Sequence, residues 1–111
     1  QFNYSALTRD AESRLLPLAA DRGIAVIVNR AFEDGRIFAR LKHLPLPAWA
    51  ADFDATSWAQ VLLKYVIAHP AVTCVIPATG KVKNMRDDLA GGRGRLPDAA
   101  ALKRIVAAVS A

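Results

Sequence analysis

Five consecutive residues, Ile24-Ala25-Val26-Ile27-Val28, form an unbroken and mostly β-branched run that opens directly after Gly23. A run with no polar residue to face water reads as a strand buried on both faces, and strands of that kind pair in parallel. Parallel strands need crossovers of a dozen or more residues between them. The chain supplies segments of that size. Residues 9–22 carry Ala11, Leu15, Leu18 and Ala19 among charged residues, the pattern of a helix covering one face of a sheet. Pro17 delays or kinks its regular part, and Gly23 ends it. The opening residues Gln1-Phe2-Asn3-Tyr4-Ser5 alternate like a strand, and residues 71–77 give a third short apolar one.

Between the second and third strands the spacing predicts a polar loop over residues 29–35 and a short helix over 36–42. The stiff connection Leu44-Pro45-Leu46-Pro47 follows. Ser57-Trp58-Ala59-Gln60 has capping-box spacing, and the helix it opens runs to about His69. Leu62, Leu63 and Val66 form its apolar stripe, and Pro70 stops it. After the third strand come a cationic loop, a helix over residues 84–90, the Gly91-Gly92-Arg93-Gly94 turn, and a last helix from Asp98 to about Val109. Leu102, Ile105, Val106 and Val109 recur in it at helical spacing. This alternation predicts an α/β fold with a parallel sheet. Three strands are few for a two-sided parallel sheet, the chain begins at Gln1, and its only methionine is Met85. The expectation is a piece of something longer, with two open sheet edges, that alone aggregates, pairs with another chain or stays partly molten.

Hydrophobic residues make up 53% of the 111 and charged residues 23%, which excludes a disordered chain. Cys74, alone and inside an apolar run, reads as a small buried side chain offering neither a disulfide nor a metal site. A single thiol points to a reducing, cytoplasmic setting. No apolar run approaches the roughly 18 residues of a membrane span, so no membrane is expected among the partners. The formal charge of +5 is concentrated late: residues 80–111 hold seven basic and three acidic side chains. A basic patch for nucleic acid and a local field for one anion both fit that count. The absence of interleaved aromatics and of a binding motif favours the anion, so no nucleic acid partner is expected. Lys103 and Arg104 read as a solvated helix face. Small residues leading into Lys81 and Lys83 just before a helix start are the makings of a phosphate site.

Taken in order, Gln1-Phe2-Asn3-Tyr4-Ser5, Arg22-Gly23-Ile24-Ala25-Val26, Ser57-Trp58-Ala59-Gln60 through His69-Pro70-Ala71-Val72, and Val75-Ile76-Pro77-Ala78-Thr79 through Arg86-Asp87-Asp88-Leu89 resemble the C-terminal part of an aldo/keto reductase. The resemblance covers essentially the whole chain. It implies an α/β fold, a partial (β/α)8 TIM barrel made of the last three β/α units with terminal helices, whose ligands lie at the C-terminal ends of the strands. It further implies that residues 1–111 are a C-terminal fragment of a single NADP-dependent oxidoreductase domain. NADP(H) would be the cofactor, a small aldehyde or ketone the substrate, and the missing N-terminal half of the barrel the partner. Catalysis in such enzymes resembles acid-assisted hydride transfer by a tyrosine tuned by lysine, aspartate and histidine. All four belong to the first half of the barrel, so the resemblance implies no catalytic residue here and an inactive fragment. Tyr65 is expected to pack within a helix and Tyr4 to face the barrel interior, while His43 and His69 are given no role.

Residue by residue, the resemblance assigns Gln1 to the nicotinamide carboxamide. Asn29, Arg30, Ala31 and Phe32 would lie along the nicotinamide and pyrophosphate, with Asn29 standing where many members have a stacking tyrosine. Ala78 and Thr79 would meet the 2'-phosphate, with Lys81 and Lys83 the nearest cations. Gly80 and Asn84 stand where arginine is frequent. Asp87 and Asp88 match the acidic and amide pair that reads the adenine, Asp88 replacing an asparagine that can donate where a carboxylate cannot. The plainer reading of both acids is favourable charge near a helix start. The alternative function is a stand-alone, non-catalytic binding or interaction domain derived from the same fold.

Overall fold

The computed structural model describes residues 1–111. Three short parallel strands, β1 (Phe2–Asn3), β2 (Ile27–Asn29) and β3 (Cys74–Val75), lie side by side with β2 in the centre. Phe2 pairs with Val28 and Val28 with Val75, so these side chains share one face; Ile27 and Cys74 share the other. The first face is covered, with Val26 and Val28 buried. The second is open: Ile27, Cys74 and Ile76 are exposed on it. The run at residues 24–28 is therefore not buried on both faces as its composition predicts, and Cys74 is not a buried thiol. All the helices pack on one side of three strands, and nothing else in the chain reaches the other side.

The segment before β2 opens with a 3-10 turn at Asp10–Glu12, and its regular helix α1 (Leu15–Arg22) starts late. Pro17 falls in the first turn, where its missing N-H deprives no hydrogen bond, and Gly23 ends the helix in the left-handed region at φ 64°. The break between turn and helix resets the phase. Ala11, Leu16 and Ala19 are buried, whereas Leu15 and Leu18 are about half exposed, against the stripe expected from the sequence. After β2 come α2 (Arg36–Leu41), the extended proline segment and a 3-10 stretch at Ala48–Phe53.

The central post of the molecule is α3 (Trp58–Ile67). Ser57 Oγ accepts the Gln60 N-H at 3.1 Å, while Gln60 Oε1 accepts the N-H of Thr56 at 2.9 Å, a capping box displaced by one residue. Every residue from Gln60 to Val66 is buried, so the helix has no solvent face in that stretch. Besides Gln60, two polar side chains go inside with it. The Tyr65 hydroxyl and the Tyr4 hydroxyl both donate to Glu12 Oε1, at 2.8 and 2.7 Å, and their rings lie 5.9 Å apart. Tyr4 thus points back among the helices, not into a barrel interior. Lys64, fully buried, donates to the carbonyl oxygens of Arg93 and Arg95, the latter at 2.9 Å. Burial pulls its ammonium below the usual lysine range, opposed by nearby Asp54.

After β3, α4 (Val82–Ala90) begins two residues ahead of the expected start, and α5 (Ala99–Ser110) runs to the end of the chain. Asp98 caps α5 by accepting the Ala101 N-H at 2.8 Å, and Ile105 and Val109 bury its inner edge. The loop between them is bolted down by Arg95, whose guanidinium holds both oxygens of Asp54 at 3.1 and 3.0 Å. That partnership lowers the Asp54 carboxyl from 3.8 to about 2. Gly94 has φ 78°, and a Cβ there would sit 2.7 Å from Asp54 Oδ2, so only glycine fits. No helix is long and apolar enough to cross a membrane.

Two measurements check this packing. Leu16→Ala is expected to cost about 2–5 kcal/mol in chemical denaturation, and Leu18→Ala less than about 0.5 kcal/mol; the reverse order would restore the sequence-derived stripe. The two tyrosines are the only phenols in the chain. Burial first, and then the bond to Glu12, raises both, Tyr65 from 10.0 to about 12 and Tyr4 further. A phenol whose folded pKa is raised contributes stability that is complete below its unfolded value and is lost as pH climbs toward the folded one. Phenolate absorbance is therefore expected to stay silent through pH 10.0 and to rise only with alkaline unfolding.

Candidate functional site

A cleft of about 750 Å³ opens where β2 and β3 end, at the C-terminal edge of the sheet. Two loops and one helix start make its walls. From the loop after β2 come Arg30, Ala31 and Phe32, then Asp34 and Gly35, with Phe38 from α2. From the other side come Ile76, Pro77, Ala78 and Thr79, then Asn84, Asp87 and Asp88 on α4. Ser57, Trp58 and Ala59, the first turn of α3, close the floor. Phe32 and Phe38 lie with ring centroids 4.9 Å apart, tilted by 54°, and with half-buried Trp58 give the cleft flat apolar surfaces.

The loop after β2 is held in an unfavourable shape. Arg30, Glu33 and Asp34 have φ values of 58°, 52° and 56°, a left-handed conformation that costs a side-chain-bearing residue about 1 kcal/mol or more. Two carboxylates offset that cost. Asp34 holds Arg30 in an ion pair at 2.6 Å. Glu33 accepts hydrogen bonds from the hydroxyls of Ser5 and Thr8, the latter at 2.6 Å, which ties this loop to the one after β1.

On the opposite wall, Asp87 is already engaged. It accepts from Ser57 Oγ at 2.8 Å and from Gln60 Nε2 at 2.8 Å, placing its negative charge at the N-terminus of α3. The helix start that Asp87 complements belongs to α3; within α4 it stands in the second half, so the charge-at-helix-start reading applies to a different helix from the one expected. Asp88 is nine-tenths buried, and no protein group hydrogen-bonds or ion-pairs with its carboxyl. Burial, and then the neighbouring Asp87, raises its carboxyl above the usual aspartate range. Thr79 Oγ1 accepts the Lys81 N-H at 3.2 Å and the Asn84 amide at 3.4 Å, which leaves its own proton free to donate. No side chain caps α4, so the amides of its first turn have no side-chain acceptor, next to the cleft that Thr79 and Asn84 line.

Of the residues assigned from the sequence, Arg30, Ala31, Phe32, Ala78, Thr79, Asn84, Asp87 and Asp88 come together in this cleft. Gln1, Asn29, Gly80, Lys81 and Lys83 do not line it. Gln1 precedes β1, whereas Asn29 is the last residue of β2; Asn29 donates to Asn3, while its own Oδ1 is buried without a partner. Lys81 and Lys83 are exposed and unpaired on the rim, and a Cβ at Gly80 would meet nothing, so that glycine is not demanded by a close approach. The charge pattern is consequently inverted relative to expectation: carboxylates inside, lysines outside. Sequence reasoning missed Asp34, Phe38, Ser57 and Trp58 as cleft residues. The capping-box signal at Ser57 marked the helix start but not what lay against it.

Parallel strands, helices on one side and a cleft at the carboxyl ends define the class: an open segment of a (β/α)8 barrel. Among solved structures the chain is similar to a thermostable aldo-keto reductase crystallised in complex with the inhibitor epalrestat, at a TM-score of 0.68 and 21% identity. The match takes in 96% of this chain and 38% of that one. The fold is thus a partial barrel of the aldo/keto reductase type, and the chain spans well under half the length of that enzyme. No protein-family model matches the sequence, and no curated protein does.

Ser57 joins the floor of the cleft to the α4 wall, because it caps α3 and donates to Asp87. Ser57→Ala is expected to lower stability by about 1 kcal/mol, and hydrogen exchange should quicken in α4 as well as in the first turn of α3. Acceleration confined to α3 would mean that Asp87 does not depend on it.

Proposed function

We propose that this chain is the cofactor-side portion of an NADP-dependent aldo/keto reductase, which reduces an aldehyde or ketone when the barrel is complete. The observation that carries the reading is the cleft at the carboxyl ends of β2 and β3, with the uncapped start of α4 and the free Thr79 proton at its mouth. Helix amides and a hydroxyl there suit a phosphate, and Lys81 and Lys83 on the rim add charge without entering the cleft. The aromatic surfaces of Phe32, Phe38 and Trp58 suit a flat base, and Arg30 is the cation nearest a pyrophosphate once it leaves Asp34. These residues fit the adenosine and phosphate half of a dinucleotide. The unfilled Oδ1 of Asn29, at the C-terminal end of β2, suits the carboxamide half, to which Gln1, ahead of β1, is assigned by the resemblance alone.

Bound NADPH supplies hydride. The residues of this chain bind and orient it, while the acid that protonates the carbonyl oxygen is expected from the rest of the barrel, which the open face of the sheet and the free edges of β1 and β3 would receive. The exposed Cys74 thiol suits a reducing, cytoplasmic setting. A second reading, a non-catalytic binding domain, draws on the buried core of 20 residues that the chain assembles from its own elements.

Fluorescence titration is expected to give saturable NADPH binding that duplex DNA does not displace, with no reduction of an added aldehyde by this chain alone. Thr79→Val should weaken NADPH by about 2- to 10-fold through one lost hydrogen bond and leave NADH unchanged. Failure to saturate, or displacement by DNA with steep salt dependence, would overturn the proposal.

A further inference from the structure

The lining of the cleft carries one guanidinium, that of Arg30, against the carboxyl groups of Asp34, Asp87 and Asp88. Asp87 is committed elsewhere, since Ser57 and Gln60 hold it at the start of α3. Asp34 plays no such part in the frame. Its ionic contact is with Arg30, Nη2 to Oδ2 at 2.6 Å, and with 60% of its side chain exposed it is free to leave. The shape of the loop does not rest on it. Glu33, the residue before, ties the loop to Ser5 and Thr8. Asp34 itself has φ 56°, a backbone that aspartate and asparagine accept more readily than most side-chain-bearing residues. The pair thus covers the only cation of the lining without helping to build the wall that carries it.

We propose that Asp34 is an autoinhibitory carboxylate, which occupies Arg30 until the diphosphate of a ligand displaces it and reclaims Arg30 when the diphosphate lifts. The proposal rests on the nucleotide reading of the cleft and adds a regulation to it. An exposed ion pair between residues four apart is weak. It yields to a group that carries more charge and offers two oxygens to the planar guanidinium fork at once. The displaced carboxylate stays tethered four residues from Arg30, so its effective concentration beside the guanidinium remains high and it competes throughout the lifetime of the complex. The cleft therefore holds a diphosphate less tightly than its donors allow, and releases it sooner. A ligand without an anion never meets the pair and is indifferent to Asp34.

The test is calorimetric titration of the whole chain with ADP-ribose, and with adenosine as the ligand that lacks the anion. Asp34→Asn removes the charge, keeps the size and suits the left-handed backbone. It is expected to bind ADP-ribose about 3- to 10-fold more tightly than wild type, with adenosine unchanged. Arg30→Gln completes a double-mutant cycle: without the guanidinium, the same change at position 34 is expected to bring a gain of less than about twofold. An ADP-ribose affinity that Asp34→Asn leaves unchanged or weakens, a gain of equal size in the Arg30→Gln background, or an equal gain for adenosine overturns the proposal while leaving the nucleotide reading in place. Absence of ADP-ribose binding by every protein of the set overturns the two together. Asp34→Gly removes the same charge at a φ that glycine accepts, so the comparison survives an asparagine variant that fails to fold.

Discussion

A helix buried on all sides must be met on all sides, and that demand from α3 organises the molecule. Its stretch from Gln60 to Val66 has no solvent face, so the sheet, α4, α5 and the tyrosine pair each take a side of it. The first turn then becomes the floor of the cleft because it is the end of α3 that emerges from the core. Ser57 and Gln60 serve stability and site geometry at once: the groups that satisfy the helix start also fix Asp87.

The cleft is assembled from parts that need one another. The loop after β2 adopts three left-handed residues that none of its side chains favours, and it holds because Glu33 reaches the hydroxyls of Ser5 and Thr8 on the neighbouring loop. The wall on α4 is set by Asp87 reaching α3. Neither wall is shaped by its own sequence alone. Carboxylates that read as ligand-binding groups prove to be partly architectural, and the charge that remains available differs in place from the charge that was counted.

Local chemistry was legible in the sequence where one residue decides the outcome. Gly23 as a helix stop, Pro17 as a late start and Ser57 as a cap all act through backbone geometry within a turn, and the parallel alternation follows from the lengths of the crossovers. What depended on distant neighbours was not legible. The register of α1 turned on a break at residues 13–14 that no periodicity announces, so Leu16 replaced Leu15 and Leu18 in the core. Burial of the 24–28 run and of Cys74 depended on how many strands and helices share the sheet, and only one face is covered. Tyr4 sits in an alternating strand but bonds to Glu12, and residue spacing says nothing of that acceptor. In the site, Arg30, Ala31, Phe32, Ala78 and Thr79 come together as loop neighbours do, while Lys81 and Lys83, read as the nearest cations from chain order, do not line the cleft, because chain order says nothing of side-chain direction.

Lys64 is the kind of residue that composition treats as surface. Its ammonium, out of water and bonded to the carbonyl oxygens of Arg93 and Arg95, does for that loop what a bound cation does in other proteins, gathering backbone oxygens around a point charge. Unlike an ion, it is tethered through a carbon chain to α3 and cannot dissociate or be chelated away. The part of the return from α4 to α5 that Lys64 gathers thus needs no ion from the medium, whereas the exposed Arg95–Asp54 pair beside it is open to screening by salt, and position 64 is closed to drift: arginine brings a wider head than the carbonyls enclose, and an apolar residue leaves them facing nothing.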